Sequence, residues 1–421
     1  MVDSTGLLSP ERISLNALKV VHRLTEHGYQ AYLVGGCVRD LLLDKTPKDF
    51  DVATDAHPEE VRDLFRNSRL IGRRFRIVHV NFGREIVEVA TFRAAHDEEE
   101  SERHLTEGGM ILSDNVYGTF DEDVHRRDFA MNALYYQPET GELVDAVGGI
   151  EDIKQRRIRL IGDPESRFRE DPVRMLRAIR FRTKLGFTLD DTTAQALLKL
   201  GHLLQDIPAA RLFEEILKLF ITGFGEAAFL GLVEYNLFGW LFPDARRLLE
   251  TGNERELIRL SLASTDERIA EDKPVTPAFI FAALLWYPFI EEKQALEEDG
   301  ITSIIASQEA ASNVIARQLL FISIPRRYSG PMRDIWQLQF RLPARVGRKP
   351  ETLMRHKRFR AAYDFLIVRQ RSGEDLKELV DWWTAYQEAN PEARHQLLRN
   401  TAGKPRRRRR RGGRGHRAAQ D

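Results

Sequence analysis

Asp49 and Asp51 stand two residues apart around Phe50, a short way after the double glycine Gly35-Gly36. On a strand, residues i and i+2 project from one face. The two carboxylates then converge while Phe50 points into a core. Carboxylates held this closely repel unless a cation lies between them, and Mg²⁺ favours a few carboxylates together with waters and substrate phosphates. Two such ions bridge the attacking oxygen and a triphosphate in an in-line displacement. Alone, Asp-x-Asp also fits an exposed loop edge; the residues before it give it meaning. Gly35 and Gly36 let the backbone approach a ligand, the following helix offers free N–H groups to phosphate, and Arg39 on its first turn adds positive charge. Asp40 orders the loop or caps a neighbour. The phosphate loop Gly-x-x-x-x-Gly-Lys-Ser/Thr does not occur.

Three further constellations carry chemistry. Glu88 is a lone acid in the apolar run Ile86 to Ala90 and calls for a charge partner. It is either a third metal ligand or the partner of Arg93 or Arg73. A helix from Arg126 to Leu134 places Asp128 and Asn132 one turn apart on one face. Both then reach ribose hydroxyls and Arg127 reaches phosphate, unless the face is an ordinary salt-bridged one. In the segment Glu170 to Phe181, Pro172 suits a first helical position, and Arg174 and Arg177 share a face with Asp171. Arginine forks and carboxylates read the donor and acceptor edge of a base; a surface ion network is the alternative. Val173, Leu176 and Phe181 face the core.

These residues need elements to hold them. Helical spacing of Leu18, Val21 and Leu24 predicts a helix over 14–27, capped by Ser14 and stopped by Gly28. Tyr32 to Val34 reads as a strand, Val38 to Leu43 as a helix and Phe50 to Ala53 as a strand. Pro58 opens a helix through Phe65. Ile77 to Phe82 and Ile86 to Phe92 form a hairpin around Gly83-Arg84. His96 to Gly109 is acidic, polar and expected to be mobile. Leu143 to Asp145 is a short return ending in Gly148-Gly149. Beyond it amphipathic helices follow one another: 171–185, 191–204, 209–222, 226–239, 254–264, 276–288, 308–320, 331–338, 356–370 and 374–388. The fold class is α+β. A small mixed-sheet head over 14–150 precedes a helical neck over 151–222, a body over 223–325, a C-terminal helical region over 326–395 and an Arg-rich, disordered tail over 396–421.

A chain of 421 residues exceeds one core, and two to four domains are expected. A hydrophobic share of 42% with 30% charged residues suits a globular protein. No stretch approaches the roughly 20 apolar residues of a membrane span, so no membrane partner is expected. Cys37 is the single cysteine, which excludes an intrachain disulfide and a cysteine-built zinc site. Without a basic-then-apolar signal at the N-terminus, a cytoplasmic location is expected. The formal net charge of zero hides an asymmetry. Residues 401–421 hold nine Lys and Arg against Asp421, a local charge of +8 that leaves −8 on the other 400 residues. Such a tail binds phosphate backbones or serves solubility.

Taken in order, the blocks LVGGCVRDLLL with KDFDVAT, EVATFR, RRDFAMNALYY, LVDAVGGIEDI and IGDPESRFREDPVRMLRAIRF resemble the class II nucleotidyltransferases, the family of bacterial poly(A) polymerases and CCA-adding tRNA nucleotidyltransferases. The resemblance covers roughly residues 30–190. It implies metal-dependent transfer of a nucleoside monophosphate to an RNA 3′-hydroxyl, without a template and with release of pyrophosphate. By this likeness Asp49 and Asp51 bind the catalytic metals, Mg²⁺ or Mn²⁺, and Arg39 with Gly35-Gly36 holds the triphosphate. Asp128 is the acid of the family's second motif at the active site, and Arg127 and Asn132 border the ribose and phosphates. Glu170, Asp171, Arg174 and Arg177 read the incoming base. Asp145 to Gly149 corresponds to a flexible head–neck connection. Asp128 is favoured over Glu88 to complete the acidic set.

The run Gly162 to Leu176, Arg73-Arg74-Phe75, the segment Pro331 to Trp336 with His356 to Phe365, and the Arg-rich terminus resemble the polyadenylating branch. ATP as substrate, RNA 3′ ends as acceptor and a place in mRNA processing and turnover follow. Partners in RNA degradation are implied too, but the residues do not identify them. CCA addition is the rival activity, and an inert RNA-binding adaptor is a more distant one that the intact acid pair disfavours.

Overall fold

The computed structural model describes residues 2–3, 8, 10–72, 76–94, 116–250 and 253–401. The predicted acidic segment 96–109, Arg73 to Phe75 and the tail beyond Thr401 lie outside them. The described chain gathers into two compact units. One comprises Met1–Arg247, Leu262–Pro274 and Ala316–Ile324; the other comprises Leu248–Ser261, Val275–Ile315 and Pro325–Asp421.

The first unit begins with a mixed sheet. Its strands are β1 (Val2–Asp3), β2 (Ala31–Val34), β3 (Phe50–Thr54), β4 (Ser68–Ile71), β5 (Ile77–Phe82), β6 (Glu85–Thr91), β7 (Leu134–Gln137) and β8 (Glu142–Asp145), ordered β1-β8-β7-β2-β3-β6-β5-β4. In this sheet, among the described residues, β3 and β6 pair in parallel and the other neighbours are antiparallel. Asp51 on β3 therefore lies between Val34 on β2 and Glu88 on β6. Helices α1 (Leu15–Glu26), α2 (Gly36–Leu42), α3 (Pro58–Leu64) and α4 (Phe120–Arg126) accompany these strands. Ser14 caps α1, its hydroxyl accepting from the N–H groups of Asn16 and Ala17. Pro58 opens α3, as the sequence predicts. The hairpin turns at Gly83, whose φ of +67° favours glycine. Strand β4 escapes sequence reading because Ser68 and Arg69 break any apolar run, and its pairing with β5 at the sheet edge makes it a strand.

The predicted helix from Arg126 to Leu134 does not form. Helix α4 starts eight residues before Asp128, at a Thr119–Glu122 capping box, and closes at Arg127, whose backbone is extended. A 3-10 turn over Ala130–Asn132 and β7 follow. The helical spacing is real, but distant partners claim the backbone. The Ala130 N–H donates to the Arg159 carbonyl and the Ile161 N–H to the Asp128 carbonyl, each at 3.0 Å.

Past the sheet the described chain is mainly helical, apart from a two-stranded parallel pairing of Arg157–Ile158 with Thr188–Leu189: α5 (Gly149–Lys154), α6 (Pro164–Glu170), α7 (Val173–Leu185), α8 (Asp191–Leu200), α9 (Ala209–Phe220) and α10 (Gly225–Glu234). Asp163 caps α6 and Pro172 immediately precedes α7. The predicted helix 226–239 stops after Glu234, where Asn236 takes φ +55°. Asp145 holds the entry to α5, its carboxylate accepting from the N–H groups of Val147, Gly148, Gly149 and Ile150. In the second unit Trp286, Trp336 and Trp383 are fully buried. Each of the last two indoles donates to a carbonyl, Ala282 and Leu342 respectively. The predicted helix 276–288 breaks at Leu285 into Pro277–Leu284 and Trp286–Glu298. Among the described residues no single helix is long and apolar enough to cross a membrane.

Candidate active site

The turn from β2 into α2 sets the centre of the site. Gly35 adopts φ +78° and ψ −128°, a region nearly closed to side-chain-bearing residues. A Cβ there would lie 3.8 Å from Arg127 Nη1 and 4.0 Å from Asp51 Oδ2. Gly35, Asp51 and Arg127, distant in sequence, thus meet at one point. Asp51 is half-buried near the start of β3, and Asp49, just before the strand, is exposed. Burial first, then the charges of Glu88 and Asp49, push Asp51 up to about 6 against the pull of Arg127. Burial and neighbouring like charges both favour the neutral form of a carboxyl group. Glu88 pairs with His79 across the β5–β6 hairpin, Nε2 to Oε1 at 3.2 Å, rather than with Arg93, whose guanidinium turns to the Arg76 carbonyl.

Arg127 is held by residues that sequence reading passed over. Its Nε donates to the Tyr135 hydroxyl at 2.6 Å and its Nη2 to Asp123 Oδ2 at 2.9 Å. The Tyr135 hydroxyl in turn donates to Asp123 Oδ2 at 2.6 Å. Burial raises the Asp123 carboxyl, but Arg127, Arg126 and Tyr135 outweigh it and hold that group well below the usual range. From α6, Arg167 Nη2 donates to the carbonyls of Arg126 and Arg127. The i, i+4 spacing of Asp123 and Arg127 was a usable signal; Tyr135 and Arg167 had none.

Asp128 stands in a second cluster. Oδ2 accepts from Arg177 Nε at 2.7 Å, and Oδ1 accepts from the Phe129 N–H at 2.8 Å and from Asn132 Nδ2 at 3.3 Å. Burial raises it, while Arg177 and these hydrogen bonds bring it down to about 2. Arg39 is buried and donates to Asn132 Oδ1 at 2.7 Å and to Asp40 Oδ1 at 2.7 and 2.9 Å. Asp40 thus orders Arg39, and the Asn132 amide bridges Arg39 to Asp128.

The third cluster spans α6, α7 and α9. Glu170 Oε2 accepts from Arg167 Nη1 at 2.6 Å and Arg174 Nη1 at 2.7 Å. Asp171 Oδ2 accepts from Arg211 Nη2 at 2.7 Å. Arg174 and Arg177, both on α7, therefore engage different partners. Arg211 carried no local signal; only the packing of α9 brings it to Asp171. The predicted residues thus fall into neighbouring clusters rather than one shell.

A glycine turn beside Asp51 on a mixed sheet, followed by helix α7 with Arg174 and Arg177, is the frame of a nucleotidyltransferase. Family models agree. One described as "Poly A polymerase head domain" matches residues 31–159. "Probable RNA and SrmB- binding site of polymerase A" matches 186–249, and "Polymerase A arginine-rich C-terminus" matches 299–415. Poly(A) polymerase I of Escherichia coli O6:H1 is 48% identical over 413 residues, 96% of this chain and 89% of its own length. The CCA-adding enzyme of Anoxybacillus flavithermus is 43% identical over 245 residues, 58% of each chain. The crystal structure of the Bacillus stearothermophilus CCA-adding enzyme in complex with CTP has a TM-score of 0.57 at 29% identity, over 91% of this chain and 80% of that one. The chain belongs to the bacterial poly(A) polymerase I family. It is a polynucleotide adenylyltransferase, joining AMP from ATP to RNA 3′ ends.

Proposed function

We propose that adenylate transfer takes place where Gly35, Asp51 and Arg127 converge, and that this convergence within about 4 Å is the observation that carries the assignment. Among the described residues no three metal-ligating side chains gather here, so the chemistry that fits a divalent cation is that of two hard carboxylates, exposed Asp49 and half-buried Asp51, completed by substrate phosphates and water. Asp49 and Asp51 would hold Mg²⁺, or Mn²⁺ in its place, which supplies Lewis-acid activation of the RNA 3′-hydroxyl and charge neutralisation on the triphosphate. Arg127 sets a guanidinium beside the Gly35-Gly36 turn to orient phosphate. Asn132, fixed between Arg39 and Asp128, borders the ribose. Asp171 and Arg174 offer an acceptor and a donor to the adenine edge, with Arg211 and Glu170 fixing their posture, while Arg177 holds Asp128. The RNA 3′-oxygen bonds to the α-phosphorus as its hydroxyl proton passes to solvent water, the bond to the bridging oxygen breaks, and pyrophosphate leaves with that electron pair. No template strand is required, because protein groups face the base.

Functionally the head spans 14–150, the neck 151–222, the body 223–325, the C-terminal region 326–395 and the tail 396–421. We place the protein in the cytoplasm, where RNA 3′ ends and ATP occur, with a role in mRNA turnover. Asp51→Asn and Asp49→Asn are expected to lower AMP incorporation at least ~10²-fold while melting temperature and RNA affinity stay near those of the parent. Near-parental extension by either variant refutes the assignment. ATP alone is expected to give long homopolymer tails on any RNA 3′ end; three-nucleotide ends made only from CTP plus ATP on tRNA indicate CCA addition instead.

A further inference from the structure

The second unit carries a basic surface that the transfer site does not use. Between Arg341 and Arg360 the chain holds eight Lys and Arg against one acid, Glu351. Here the end of the helix Arg326–Arg341, the following turn and the helix Lys349–Met354 enclose a cavity of about 440 Å³. Phe340, Ala344 and Leu353 form its apolar wall, and Arg341, Arg348 and Lys349 stand around it.

The charge on this rim is uncompensated. Arg345, Arg355 and Arg360 nearby are taken up by Glu378, Glu351 and Asp364. Arg341, Arg348 and Lys349 are exposed, and among the described residues none of them joins an ion pair. Three cations gathered without a carboxylate favour an anion between them. The wall adds a second requirement. Phe340 is 41% exposed, with its ring braced against Trp286 at 6.2 Å and 27°. A braced aromatic face beside a cationic rim suits a ligand that pairs phosphates with flat bases.

We propose that this cavity is a subsite for single-stranded RNA, its rim cations on consecutive phosphates and Phe340 against a base. The occupant is RNA rather than an acidic protein because the enzyme's own acceptor brings both the charge and the planar group. The proposal rests on the RNA-extending activity but not on the assignment of the transfer site.

The test uses the full-length protein and fluorescent oligo(A) in the absence of ATP, titrated across a range of KCl. The triple variant Arg341→Ala, Arg348→Ala, Lys349→Ala is expected to bind more weakly. Its slope of log affinity against log salt falls by about two, since each single-strand phosphate contact contributes roughly 0.7. KM for the RNA primer rises while kcat for adding one nucleotide holds. Phe340→Leu is expected to weaken oligo(A) binding with the slope unchanged. A triple variant that melts like the parent and keeps its slope overturns the proposal. So does a variant that keeps oligo(A) binding and loses only binding to polyglutamate, which marks a protein-docking surface. Should the triple variant misfold, Lys349→Glu alone, at an exposed site, must still lower the slope. Asp51→Asn retains the parental slope, so failure here and failure of the transfer-site assignment read separately.

Discussion

Tyr135 shows how much of this site depends on a residue with no chemistry of its own. Its hydroxyl accepts from Arg127 and donates to Asp123, fixing the guanidinium that faces Gly35 and Asp51. Tyr135→Phe removes both bonds and leaves the ring. The expected loss is about 1 kcal/mol of stability, seen as a lower Tm, with roughly tenfold lower kcat/KM for ATP. A fall in Tm with kcat/KM intact makes Tyr135 purely structural. Asp123 carries the matching pH dependence. Its folded pKa is depressed, so its stabilisation is complete above the unfolded carboxylate value near pH 4 and is lost as pH falls towards the folded one. Asp123→Asn is therefore expected to lower Tm at pH 7 and to flatten the decline of Tm below about pH 4. An acid limb as steep as the parent's contradicts the network.

At the scale of elements, the site depends on how α5 meets the 3-10 turn that carries Asn132. Gly149 opens α5, and a Cβ there would stand 2.2 Å from the Ala130 carbonyl oxygen. Backbone cannot yield as a flexible side chain does, so Gly149→Ala must push the two elements apart. Overpacking of this kind costs about 1–3 kcal/mol. Ala130 leads into Asn132, and Asn132 links Arg39 to Asp128. Gly149→Ala is thus expected to lower Tm and to reduce nucleotide addition together, a coupling that differential scanning calorimetry and single-turnover assays measure. Gly83→Ala, at a hairpin with open space around it, should leave addition unchanged.

For the whole molecule, the formal neutrality of the chain conceals a tail of +8 and a remainder of −8. Charges so separated act independently once they lie beyond a Debye length of about 8 Å. A protein truncated after Thr401 is expected to bind RNA with a flatter salt dependence and to retain single-nucleotide addition. Anisotropy across KCl concentrations measures the first and primer extension the second. An unchanged slope assigns the tail to solubility. Combined with the triple variant at Arg341, Arg348 and Lys349, the truncation separates RNA held by the tail from RNA held by the folded unit.

Local chemistry along the chain dictates the order of the motifs, most of the helical and strand periodicities around them and the two-residue spacing of Asp49 and Asp51. These are short-range matters: turn chemistry at Gly35, a Ser14 cap and alternation along β3 are written within a few residues. The tertiary structure alone decided which charges meet. Asp128 finds Arg177, 49 positions away, and Asp171 finds Arg211, 40 positions away. Glu88 comes beside Asp51 only because β3 and β6 pair in parallel, through a connection that leaves no local trace. The helix predicted from Arg126 to Leu134 does not form, for the same reason. Backbone groups of Arg159 and Ile161 satisfied Ala130 and Asp128, and where non-local hydrogen bonds compete with a helical turn, periodicity does not report the outcome.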